Sequence, residues 1–190
     1  MTTDHAQPPA PAPPPPASSR DASRLRTIRI IDTFSNWSGR AFAWLTVPMI
    51  GGLVIEVICR YGFNAPTEWA FDLTYMLYGS LFMLGAGYAL YRKAHIRTDM
   101  IYRLLPVKWQ GIIDASLYIL FFFPGMIFFL ISSWEYFLTS WGQREIALGA
   151  WSPPLYPFKL VLPVSAALLL LQGVSELLKS LHAAKRGEWL

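Results

Sequence analysis

The sequence predicts an all-α integral membrane protein: four transmembrane helices with both termini cytoplasmic, preceded by an amphipathic interfacial helix. Three observations carry that expectation. Four apolar segments, at about Phe42–Cys59, Trp69–Tyr91, Trp109–Ser140 and Leu155–Leu178, approach or exceed the roughly 20 residues that cross a hydrocarbon core about 30 Å thick. The composition is 54% hydrophobic and only 15% charged, where soluble domains carry about 25% charged residues. Finally, basic residues alternate from loop to loop. Five precede the first span (Arg20, Arg24, Arg26, Arg29, Arg40), one follows it (Arg60), and five lie in the second loop (Arg92, Lys93, Arg97, Arg103, Lys108). Two more are in the third loop (Arg144, Lys159) and three at the C-terminal end (Lys179, Lys185, Arg186). Basic loops remain cytoplasmic, so both termini and the second loop are expected inside. The same placement accounts for the net charge of +4 without invoking nucleic acid.

In chain order, residues 1–19 form a Pro/Ala-rich tail whose PAPPPP run reads as disordered and partly polyproline II. It has no apolar run of the secretory type, so no cleavable signal peptide is expected. A docking motif is the sharper reading of the same tail. Residues 20–40 place Leu25, Ile28, Ile31 and Phe34 at three-residue steps, with most charges elsewhere on the wheel. That pattern suits a helix in the headgroup layer, its arginines reaching lipid phosphates; an irregular linker is the other reading. Residues 41–182 form the four-helix membrane domain and 183–190 a cytoplasmic tail.

Within the first span, Pro48, Gly52 and Glu56 recur every four residues and share a face, expected inward because a carboxyl must meet protein or water. Span two carries Gly79 and Ala86, and beside them Ser80 and Gly87, a small-residue stripe suited to helix packing. Span three, with Pro124-Gly125 in its middle, is too long to cross upright and is expected to tilt, kink or project. Its polar residues Asp114, Tyr118, Gly125, Ser132 and Glu135 fall on one side. Span four follows SPPLYPFK and aligns Ser165, Gln172 and Glu176. Seven tryptophans near helix ends read as an interfacial belt, in preference to a ligand cage.

Catalytic chemistry is not expected. No nucleophile–base pair, phosphate loop or metal-ligand spacing is present, and Cys59 is the single cysteine. His5, His95 and His182 cannot supply two imidazoles facing across a bundle, which disfavours a haem-bearing membrane anchor. Glu56 is the deepest carboxylate, four residues before Arg60, the spacing of a helical ion pair. Structural pairing or partner contact is the favoured role for it; ion handling is the alternative.

The stretch from Arg60 to Pro106 also carries a family pattern. Arg60-Tyr61 is followed by Phe63-Asn64, then Trp69 with an acid three residues on at Asp72. Gly85-Ala86, the His95-Ile96-Arg97 run with Asp99, and Leu105-Pro106 come next; the proline-rich approach to span four and Gln172-Gly173 fit too. Over about residues 25–182 the chain resembles the small membrane subunit of tripartite ATP-independent periplasmic (TRAP) transporters, the DctQ-like family. Asp72 departs from the Glu often found there.

The resemblance implies a small permease subunit of the bacterial inner membrane that scaffolds and anchors a large DctM-like subunit. The assembly would perform sodium-driven uptake of an organic acid delivered by a periplasmic substrate-binding protein. Substrate and sodium sites would lie on the large subunit, leaving no catalytic, metal, substrate or cofactor site here. Family-motif and partner-contact candidates are then Glu56, Arg60, Asn64, Trp69, Asp72, His95 and Asp99. Arg24, Arg29, Arg92, Lys93, Arg97 and Arg103 are candidates for phospholipid headgroups. The alternative is a self-sufficient small multidrug-type transporter coupling protons through Glu56. Those proteins have shorter loops and tails, and here Glu56 lies near a span end.

Overall fold

The computed structural model describes residues 19–92 and 105–188. The helices are α1 (Ser19–Ala43), α2 (Thr46–Val57), α3 (Ala70–Tyr91), α4 (Val107–Leu117), α5 (Phe123–Gln143), the short α6 (Tyr156–Lys159) and α7 (Val161–Arg186). Five-residue π-helical turns extend α2 over Ile58–Gly62 and join α4 to α5 over Tyr118–Phe122. Four continuous helical stretches are long and apolar enough to cross a membrane: Ser23–Gly62, Ala70–Tyr91, Val107–Gln143 and Tyr156–Arg186. The all-α, four-span architecture expected from the sequence is therefore present.

Proline chemistry shapes two of the spans. Pro48 has no N–H to give the carbonyl of Trp44, so that carbonyl takes the Val47 amide instead, at 3.1 Å. The amides of Trp44 and Leu45 likewise reach back only three residues, to Ala41 and Phe42. The chain turns there, between α1 and span one. Pro124 similarly leaves the Leu120 carbonyl without its usual donor. The turn before it widens, and the Phe123 amide bonds to Tyr118 five residues back. At about 1.5 Å per residue the 37 residues of span three reach roughly 55 Å, so this span must tilt or project from a 30 Å core.

The spans form an open row, not a closed bundle. Span one packs on span two, span two on span four, and span four on span three, while α1 lies across spans two and four. Small residues set these contacts, since in lipid the gain comes from close van der Waals approach. Gly79 meets Phe158 and Gly87 meets Leu168 where span two touches span four. Where spans three and four cross, Gly173 leaves room for the Phe122 ring. A β-carbon on Gly111 would lie 2.5 Å from the Ala184 amide nitrogen, so backbones meet almost directly. Span four is the spine: 39% of its most apolar window is buried, against 6% in spans one and three.

Three faces differ from the expected ones, those of α1 and span three for reasons of helical phase and that of span one at Pro48 alone. On α1, Ile28, Ile31, Ser35 and Ser38 are buried, whereas Leu25 and Phe34 are 41% and 44% exposed. A strict three-residue step falls behind a 3.6-residue turn, so the contact face drifts from Phe34 to Ser35. On span three the π turn inserts one residue into the register. Beyond it Ser133, Phe137 and Ser140 face inward, while Gly125, Ser132 and Glu135 of the expected polar side are exposed. On span one Gly52 is buried against Trp69 and Leu73, Glu56 is half-buried, and Pro48 is exposed.

Candidate functional site

At one end of the row, here the hairpin end, loop 63–69 folds back on span one. The Phe63 and Ala65 amides both bond to the Cys59 carbonyl, and Asn64 takes a left-handed φ of 52° to allow the reversal. Glu56 fastens the loop. Its Oε1 accepts from Arg60 Nε at 2.8 Å and from Arg60 Nη2, while its Oε2 accepts from the Thr67 amide at 2.8 Å and from Thr67 Oγ1. Both carboxylate oxygens are thereby committed to the hairpin.

Trp69 sits half-buried against Gly52, and Asp72 in the first turn of α3 faces Gly149 of the next loop. A carboxylate there also complements the positive end of the α3 dipole. Residues 144–155 form a narrow loop closed by the Ala147 amide on the Pro153 carbonyl (2.8 Å) and the Leu155 amide on the Glu145 carbonyl (2.9 Å). Glu145 pairs with Lys159, whose ammonium also stands 3.9 Å from the centre of the Tyr136 ring. That ammonium, donating to Glu145, holds its carboxyl below the ordinary carboxylate range. The loop tip exposes Ile146, Leu148 and Trp151.

The opposite end, here the α1 end, carries a buried polar network. Ser35 Oγ donates to Gln172 Oε1 at 2.6 Å, and Gln172 Nε2 donates to Asp32 Oδ1 at 3.1 Å and more weakly to Glu176. Ser175 Oγ donates to Asp32 Oδ1 at 2.7 Å. Lys179 Nζ bridges Asp32 Oδ2 and Glu176 Oε1, at 2.8 Å each. Gln172, Ser175 and Glu176 are essentially inaccessible. Such a network costs least when every member is satisfied, and then it specifies one docking geometry.

The structure brings Glu56 together with Arg60, and Trp69 and Asp72 to the same end. Arg60 and Asn64 are exposed there; Arg24, Arg29 and Arg92 are exposed at or near the α1 end. His95, Asp99, Lys93, Arg97 and Arg103 lie outside the described residues. Sequence reasoning missed Asp32 and Lys179 as partners, and Glu145 with Lys159. Only the span-four stripe of Gln172 and Glu176 signalled the first of these. Among the described residues no group of three His, Cys, Asp or Glu side chains could hold a metal ion.

Comparison with known proteins identifies the family. The family described as "Tripartite ATP-independent periplasmic transporters, DctQ component" matches residues 49–183, which begins within span one, takes in spans two and three and most of span four, and leaves α1 outside. No curated protein matches the chain. The match covers well over half of the sequence, and the chain belongs to the DctQ component family of TRAP transporters.

Proposed function

We propose that this small permease subunit scaffolds and anchors a large DctM-like transport subunit in the bacterial inner membrane. The assembly performs sodium-driven uptake of an organic acid handed over by a periplasmic binding protein, with the sodium sites on the large subunit. The observation that carries this reading is the open row of spans. A self-contained transporter needs an enclosed polar path, whereas spans one and three turn long apolar faces outward on either side of a buried spine. Such faces suit a partner helix as readily as lipid, and the closed hydrogen-bond networks at both ends make the row a stiff support. Loop charge supports a cytoplasmic location for both termini and the second loop, and a periplasmic one for the hairpin end. Trp69, Asp72 and Arg60 are then positioned toward the large subunit or the binding protein.

The test is reconstitution of this chain alone and together with its large subunit, followed by uptake measured under a sodium gradient. Uptake is expected only from the complete assembly, and Glu56→Gln is expected to retain it whenever the complex forms. Substrate-coupled proton flux through the chain alone, abolished by Glu56→Gln, would replace this reading with that of a small multidrug-type transporter.

A further inference from the structure

A cleft of about 460 Å³ opens between α1, the end of α3 and α7, lined by Leu25, Ile28, Arg29, Asp32, Asn36 and Lys179, with Thr33 and Tyr91. That volume falls within the roughly 300–1,000 Å³ of small-molecule sites. Its depth is fixed by the helices. Lys179 lies 23 residues beyond Tyr156 and Tyr91 lies 21 beyond Ala70, which places both about 32–35 Å from the hairpin end. The hydrocarbon core is about 30 Å thick, so the cleft sits at the level of the lipid headgroups.

The charges in the cleft are separated in a particular way. Asp32 and Glu176 form a triad with Lys179 in which two carboxyl groups share one ammonium. Asp32 is the member that lines the opening. Three of the about four acceptor positions on its carboxylate are taken, by Gln172, Ser175 and Lys179, leaving one. Arg29 stands three residues earlier on the same side of α1, exposed, and among the described residues no carboxylate pairs with it. Thr33 and Asn36 add hydrogen-bonding groups beside it, and Leu25 supplies an apolar wall. The cleft thus offers a cation and an unfilled anionic acceptor side by side, at headgroup depth.

We propose that this cleft binds the zwitterionic headgroup of a phosphatidylethanolamine-type lipid. The phosphodiester meets Arg29, and the primary ammonium donates to the remaining lone pair of Asp32. The guanidinium matches phosphate oxygens in a fork geometry, and a primary ammonium has N–H donors that a trimethylammonium lacks. A bound lipid would brace α1 against spans two and four, coupling the segment outside the family match to the membrane domain. The inference rests on membrane residence and on these side chains, not on assembly with a large subunit.

The test is native mass spectrometry of the purified full chain after exposure to equimolar phosphatidylethanolamine, phosphatidylcholine and phosphatidylglycerol of identical acyl composition. Phosphatidylethanolamine is expected to be retained about tenfold over either competitor, as one charge-assisted hydrogen bond implies. Arg29→Ala is expected to lower retention of all three lipids together, since each carries the phosphodiester, while leaving thermal unfolding of the delipidated protein unchanged, because its side chain is exposed. Asp32→Asn provides the second arm: it should abolish discrimination against phosphatidylcholine. Equal retention of the three lipids, or undiminished lipid retention in Arg29→Ala, would overturn the proposal. Preference for phosphatidylglycerol would overturn the ammonium contact. Displacement of the lipid by soluble O-phosphoethanolamine at matched concentration would reassign the site to a free phosphorylated metabolite.

Discussion

The two ends of the row are held by opposite strategies. At the hairpin end the fastenings are local: Glu56 to Arg60 across one helical turn, Glu56 to Thr67 across a short reversal, and Glu145 to Lys159 across a proline-rich loop. Arg60 is half-exposed and water competes for it. At the α1 end the fastenings join segments some 140 residues apart, and Ser35, Gln172, Ser175 and Glu176 are buried, with Asp32 and Lys179 at the edge of the cleft. Local, wet contacts shape loops for a partner to meet; long-range, dry contacts decide how the helices sit. A buried ionic network stabilises little in itself, yet breaking it leaves charges stranded.

The contrast is sharpest at Lys179. Replacing it with Met leaves Asp32 and Glu176 facing each other without a cation, at a cost of about 3–5 kcal/mol. Thermal unfolding in detergent should record that loss, and protease cleavage within α1 should rise. Restoring the protection by adding Asp32→Leu would confirm that the stranded charge, not lost packing, was responsible. A smaller effect is expected for Gly111→Ala. Its new β-carbon meets backbone, not a side chain that can swing away, so spans three and four must part at a cost of about 1–3 kcal/mol. A stability as high as the parent's would mean that the crossing is looser than it looks.

The hairpin end should respond more gently, and to pH. The Glu145 carboxyl is held below the ordinary range when folded, so the pairing contributes stability above that range, and this is lost as pH falls through the lowered value. Proteolysis of loop 144–155 should therefore be slow at neutral pH and accelerate as pH falls below the ordinary carboxylate range. Glu145→Gln should be cleaved at similar rates throughout; a profile matching the parent's would assign the acid sensitivity elsewhere. The smallest change is at Asn64, which holds a φ of 52°. Ala there should cost about 1 kcal/mol and Gly almost nothing, by thermal unfolding of paired variants.

How much of this was legible beforehand follows from the range of each interaction. The spans could be read because hydropathy over 20 residues is a property of the chain itself. The Glu56–Arg60 pair could be read because four residues is one turn. The span-four stripe announced a buried face, and Gln172 and Glu176 lie on it. Nothing nearby in sequence, however, marks Asp32 as the partner of Ser175 and Lys179. Lys179 reads in the sequence as one of the C-terminal charges, although it packs against Asp32 and Glu176. Phe34 and Glu135 show a different failure, one of phase: small errors in helical period, or one inserted π residue, turn a face away over two or three turns.

The sequence by itself determined membrane residence, the number of spans and the family, since apolar length, loop charge and short motifs are local. Tertiary structure alone decided that the spans stand as an open row with span four as its spine. It also decided that α1 is bound to that spine through Asp32 and Lys179. The reason is physical: in lipid, apolar faces are nearly interchangeable, so helix order is set by where small residues admit close approach and where buried charges find partners.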